Sequence, residues 1–104
     1  MTTAQIKQEK RMRRRILELI EASKASGWVR GQWIAEIVGL DDEEQAAGLL
    51  ADLVNLGLAE THDTRELRAQ IPGLRFADYH ITAKGTRLLA GLEPVEPLIE
   101  DERL

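Results

Sequence analysis

Four apolar stretches, each closed by a glycine, set what this chain can build. Residues 16–20 lead to Gly27, residues 33–38 to Gly39, residues 46–56 to Gly57, and residues 88–89 to Gly91. Apolar side chains at three- and four-residue steps make one stripe along a helix, and glycine accepts the left-handed backbone in which helices end. The spacing predicts helices over about residues 3–25, 32–38, 41–56 and 83–90. In the first, Met12, Ile16, Leu19 and Ile20 form the stripe, and Lys7, Lys10, Arg11 and Arg14 fall opposite it. The third has the clearest start. Asp41 is the expected cap, with Glu44 three residues on, and acids 41–44 sit at the positive end of the helix dipole. Its apolar face is Ala46, Leu49, Leu50, Leu53, Val54 and Leu56. Thr82 caps the fourth helix, which turns Leu88 and Leu89 inward.

The segments between the helices read as strand and turn. Trp28 and Val29 favour a short strand. Residues 58–82 read as a β-hairpin, with Tyr79 and Ile81 on one face of the return strand and Asp78 and His80 on the other. Between the strands, Ile71-Pro72-Gly73-Leu74 is a type II turn signal. The long connection leaves the pairing register open. Residues 93–104 hold Pro94, Pro97, five acids and one arginine, and read as an extended acidic tail with a short turn near 98–104. The expected fold class is mainly α with a small β-hairpin, ordered helix, short strand, helix, helix, two-stranded wing, helix. It occupies residues 1–91, with a tail at 92–104.

Length and composition narrow the setting. The 104 residues suit one domain. The absence of cysteine excludes disulfides and thiolate metal sites, and makes a reducing cytoplasm the expected compartment. No apolar run approaches the ~20 residues that span a bilayer, and the polar, basic start is not a secretory signal. Charge is unevenly placed. Residues 1–30 hold eight Lys or Arg against three Asp or Glu, a net of +5, whereas residues 31–64 hold eight acids and no Lys or Arg, a net of −8.

Three stretches carry a family likeness. They are Trp33-Ile34-Ala35-Glu36-Ile37-Val38-Gly39-Leu40, then Leu49-Leu50-Ala51-Asp52-Leu53-Val54-Asn55-Leu56-Gly57-Leu58-Ala59-Glu60, then Tyr79-His80-Ile81-Thr82-Ala83-Lys84-Gly85-Thr86-Arg87-Leu88-Leu89. In that order they resemble the winged helix-turn-helix domains of MarR-, PadR- and ArsR-type bacterial regulators, over roughly residues 10–91. The resemblance implies a DNA-binding transcriptional regulator, often a dimer, with its third helix in the major groove and its wing on the backbone or minor groove. Stand-alone domains of this size also suit phage or prophage regulators.

The residues suited to double-stranded DNA lie on three surfaces. On the third helix, which lacks Lys and Arg, Gln45 and Asn55 are the side chains suited to reading a base. The wing offers Arg65, Arg68 and Arg75, which equally suit a solvated hairpin. The first helix offers Lys7, Lys10, Arg11, Arg13, Arg14 and Arg15, six cations within nine positions, which equally suit a solvated face. His62 and His80, with Asp63 and Asp78, are a thin suggestion of a metal and read better as surface residues. Trp28 and Trp33 read as core rather than as a stacking pair. With no Gly-rich phosphate loop, serine nucleophile motif or His-based triad, no catalysis, cofactor or metal is expected. The acidic third helix motivates a second hypothesis: a non-catalytic protein–protein adaptor, or a phage packaging or assembly component, on the same scaffold. A homodimer through the first helix and the C-terminal segment is expected of so small a core.

Overall fold

The computed structural model describes residues 2–62 and 78–101. Helix α1 (Thr3–Ala22) leads through a 3-10 turn (Lys24–Ser26) to strand β1 (Val29–Arg30). Helices α2 (Gly31–Val38) and α3 (Glu43–Asn55), strands β2 (Ala59–His62) and β3 (Asp78–Ile81), and helix α4 (Ala83–Leu89) follow. The described residues are mainly helical, with one three-stranded antiparallel sheet ordered β1-β3-β2. Val29 lies opposite Tyr79, and β2 runs against β3 with Ala59 opposite Ile81 and Thr61 opposite Tyr79. Tyr79 and Ile81 are buried while Asp78 and His80 face away, as the alternation predicts. The core gathers Ile16, Leu17 and Ile20 of α1, Ile34 of α2, Leu49, Leu50 and Leu53 of α3, and Leu58, Ile81, Leu88 and Ile99 around them.

Several boundaries and faces differ from the sequence reading. Helix α1 stops at Ala22 rather than Ala25, because residues 24–26 tighten into a 3-10 turn before Gly27. Its innermost residues are Arg13, Ile16, Leu17 and Ile20, whereas Met12 and Leu19 flank the core. The buried stripe is thus turned by roughly 60° from the expected one. A charged Arg13 is tolerated inside because an acidic partner on α3 meets it. Asp42, not Asp41, caps α3: its Oδ1 accepts from the Glu44 and Gln45 N–H groups at 2.9 and 3.3 Å. The capping chemistry is the same for either aspartate, so sequence alone does not choose between neighbours. Trp28 and Trp33 do not enter the core, being 45% and 41% exposed. The apolar arc of short α2 spans about 200°, wider than the face the core covers, so Trp33 at its edge stays outside.

Helix α4 is bound to the α3–β2 corner. Gly57 ends that corner with φ 75°, and its carbonyl accepts from Thr82 Oγ1 at 2.6 Å. The same Thr82 hydroxyl caps α4 by accepting from the Gly85 N–H at 3.1 Å. Lys84 Nζ donates to the Leu56 carbonyl at 3.2 Å. From the other side, Thr86 Oγ1 donates to Glu21 Oε2 at 2.7 Å, and Lys24 Nζ lies 2.6 Å from Glu21 Oε1.

The Lys24 hydrogen bond, then that of Thr86, hold the Glu21 carboxyl below its ordinary range. A carboxyl with a lowered folded pKa adds stability above its ordinary pKa and loses it as pH falls through the folded value. Glu21→Gln is therefore expected to be less stable than the parent at neutral pH. The gap should close in acid as Glu21 protonates. Denaturation midpoints of both proteins across an acid series check this, and a gap constant with pH contradicts it.

Candidate nucleic-acid interface

Helix α3 brings no cation to its surface. Ala46, Leu49, Leu50 and Leu53 point inward, which leaves Glu43, Glu44, Gln45, Ala47, Gly48, Ala51 and Asn55 exposed. Gln45 lies in the first turn, beside Gln5, Gln8 and Glu9 of α1 around a groove of about 220 Å³. Asn55 is the last helical residue. They lie ten positions apart in the helix, a rise of about 15 Å, so the two side chains suited to base reading stand at opposite ends of α3. They do not converge on one base step.

Three of the six cations of α1, Arg11, Arg13 and Arg14, are engaged by acids of the same chain. Within the segment expected as an extended tail, residues 96–101 lie against α1, and Ile99 enters the core. The Glu100 N–H donates to the Lys10 carbonyl at 3.2 Å, and its carboxylate takes Arg11 Nε at 3.2 Å. Arg14 Nη1 donates to the Glu100 carbonyl at 3.3 Å, while its Nε lies 3.5 Å from Glu18. Arg13 is buried: Nε and Nη2 both lie 3.0 Å from Asp52 Oδ2, Nη1 donates to the Leu98 carbonyl at 3.1 Å, and Glu9 lies 3.6 Å away. Lys7 and Arg15 remain exposed. A groove of about 330 Å³ runs between the segments, lined among others by Lys7, Lys10, Arg11, Pro97 and Glu100.

Sequence reasoning placed Lys7, Lys10, Arg11 and Arg14 on one polar side, but missed that residues 96–101 would lie on it. The signal was the charge itself, since an acidic segment containing Leu98 and Ile99 complements a basic helix. Surface pairs of this kind are individually weak, on the order of 0.2–1 kcal/mol. The apolar contact of Ile99 and the bonds of buried Arg13 carry more.

At the hairpin, Arg65, Arg68 and Arg75, with the Ile71-Pro72-Gly73-Leu74 turn and Asp63, lie outside the described residues. The strands leading to them are fixed by register, with His62 opposite Asp78 and Glu60 opposite His80. The two histidines are thus at staggered positions along the ladder. His80 Nδ1 lies 2.8 Å from the Ile81 carbonyl and 3.6 Å from Glu60, and its ring meets Trp28 at 5.6 Å between centroids, tilted by 44°. Among the described residues no group of three metal-ligating side chains gathers, and no helix is long and apolar enough to cross a membrane. No protein-family model, curated protein or solved structure matches this chain.

Proposed function

We infer that the chain is a small winged helix-turn-helix regulator that binds double-stranded DNA chiefly through its wing. The observation that carries this reading is the element order of the described residues, α1-β1-α2-α3-β2-β3-α4, with β2 and β3 paired antiparallel. It is the order in which winged helix-turn-helix domains are built, and such a scaffold presents a hairpin beside its third helix. The residues between β2 and β3 include Arg65, Arg68 and Arg75, suited to phosphate contact. The third helix plays a minor part, because its exposed carboxylates repel a phosphate backbone. Like charges 4 Å apart cost about 1 kcal/mol in water and more near a protein surface.

Binding to mixed-sequence duplex DNA across a salt series tests the reading. Affinity is expected to fall steeply with salt, and replacing Arg65, Arg68 and Arg75 together with alanine is expected to reduce the log–log slope by about three units. No binding at low salt overturns it. A specific observation also favours a second reading, the non-catalytic adaptor. Most acids of the described middle segment are exposed around α2 and α3, and Arg11, Arg13 and Arg14 of α1 are already met by acids of the same chain.

A further inference from the structure

Helix α2 turns two large apolar side chains to solvent. Trp33 and Ile37 stand one turn apart, 41% and 57% exposed, on the side away from buried Ile34 and Ala35. Exposed apolar surface of this kind, gathered and rimmed by polar groups, marks interaction sites more often than chance. The rim is acidic apart from Arg30, the cap residue of α2, whose Nε lies 3.6 Å from Asp78 Oδ1. Glu36 neighbours both side chains on α2, and Asp41 and Asp42 follow in the turn to α3, all exposed. No Lys or Arg occurs anywhere in residues 31–64.

That rim selects the occupant. Nucleic acid and anionic lipid surfaces bring further negative charge against Glu36, Asp41 and Asp42. A second copy meeting this one face to face sets the same acids against each other. A cationic protein segment does the reverse: its apolar side chains cover Trp33 and Ile37 while its Lys or Arg meet the acids. Helix-in-groove and helix-on-face recognition work in this way, with apolar anchors at i and i+4. We propose that the outward face of α2 is a docking surface for a basic amphipathic segment of a partner protein, anchored on Trp33 and Ile37. The surface does not involve the wing, so it stands or falls separately from DNA binding.

The test uses tryptophan emission. The chain has two tryptophans, so a Trp28→Phe form makes Trp33 the reporter. The probe is a synthetic amphipathic helix of leucine and lysine, about 18 residues long, with its leucine–glutamate counterpart as control. The lysine peptide is expected to blue-shift Trp33 emission saturably. Ile37→Gln is expected to weaken that binding at least about tenfold, and Glu36→Gln with Asp41→Asn to do likewise. Both variants change exposed side chains and are expected to keep the parent's far-ultraviolet circular dichroism. Absence of binding overturns the proposal, as does binding that Ile37→Gln leaves unchanged or equal binding of the glutamate peptide. Concentration-dependent self-association abolished by Ile37→Gln overturns it too, because the occupant is then a second copy.

Discussion

Gly85→Ala is expected to destabilise the chain by about 1–3 kcal/mol, although alanine is the better helix former. A methyl group at this position would run into the backbone carbonyl oxygen of Leu58 and sit 2.8 Å from Ile81 Cγ1. The first obstacle is backbone, so no side-chain rotation relieves it. That carbonyl also accepts from the Thr82 N–H at 3.2 Å, and Thr82 caps α4 and bonds to Gly57. Moving α4 outward therefore breaks the corner that holds it. Overpacking of this kind costs about 1–3 kcal/mol, sometimes more, from a total stability on the order of 5–15 kcal/mol. Helix propensity acts in the opposite direction by about 1 kcal/mol, so the sign of the change is diagnostic. Gly48→Ala on α3 provides the contrast, since a methyl there meets nothing within 4 Å. It is expected to stabilise by roughly 0.5–1 kcal/mol. Urea unfolding followed by circular dichroism compares the two, and a Gly85→Ala protein as stable as its parent contradicts the close approach.

Asp52→Ala is expected to destabilise by about 2–3 kcal/mol, and by more than Arg13→Met does. The asymmetry comes from burial: the Arg13 side chain is 9% exposed and that of Asp52 38%. Losing the arginine leaves a carboxylate that water reaches, and methionine keeps much of the packing. Losing the aspartate leaves a guanidinium inside, with only the Leu98 carbonyl at 3.1 Å and Glu9 at 3.6 Å to meet it. Breaking one side of a fully buried pair costs about 3–5 kcal/mol, and partial exposure of Asp52 lowers that figure. The double variant Arg13→Met with Asp52→Ala is expected to fall well short of the summed losses, with a coupling of about 1–3 kcal/mol. Denaturant unfolding of the four proteins measures it. Additive losses, or an Asp52→Ala change under about 0.5 kcal/mol, contradict a pair that ties α1 to α3.

These two sites show where sequence reading reached and where it stopped. The helix ends at Gly39 and Gly57, the Thr82 cap and the alternation along β3 were legible, because each depends on residues a few positions apart. The role of Gly85 was not, because the Leu58 carbonyl that excludes a side chain there comes from a distant turn. Arg13 was read as one more cation of a polar face, since nothing local reveals that Asp52 lies across from it. The exposure of Trp33 and Ile37 escaped for a related reason. The apolar arc of α2 runs about 200° around the helix, with Gln32 and Glu36 in the remaining arc, and the pattern does not say which part of so wide an arc the core covers. In the candidate interface, the charge pattern gave the signs of the surfaces, but not which cations of α1 would be met by acids of residues 96–101.

The contacts between α1 and residues 98–100 join positions 85 to 90 apart in the chain. This bears on the order of events during synthesis. Helix α1 is made first, and its inner stripe finds α2, α3 and β3 as they emerge. The rim formed by Lys10, Arg11 and Arg14 has no lid until residue 100 is added. A nascent chain arrested before that point carries a half-dressed first helix, with Arg11 lacking its Glu100 partner and the seat of Ile99 open.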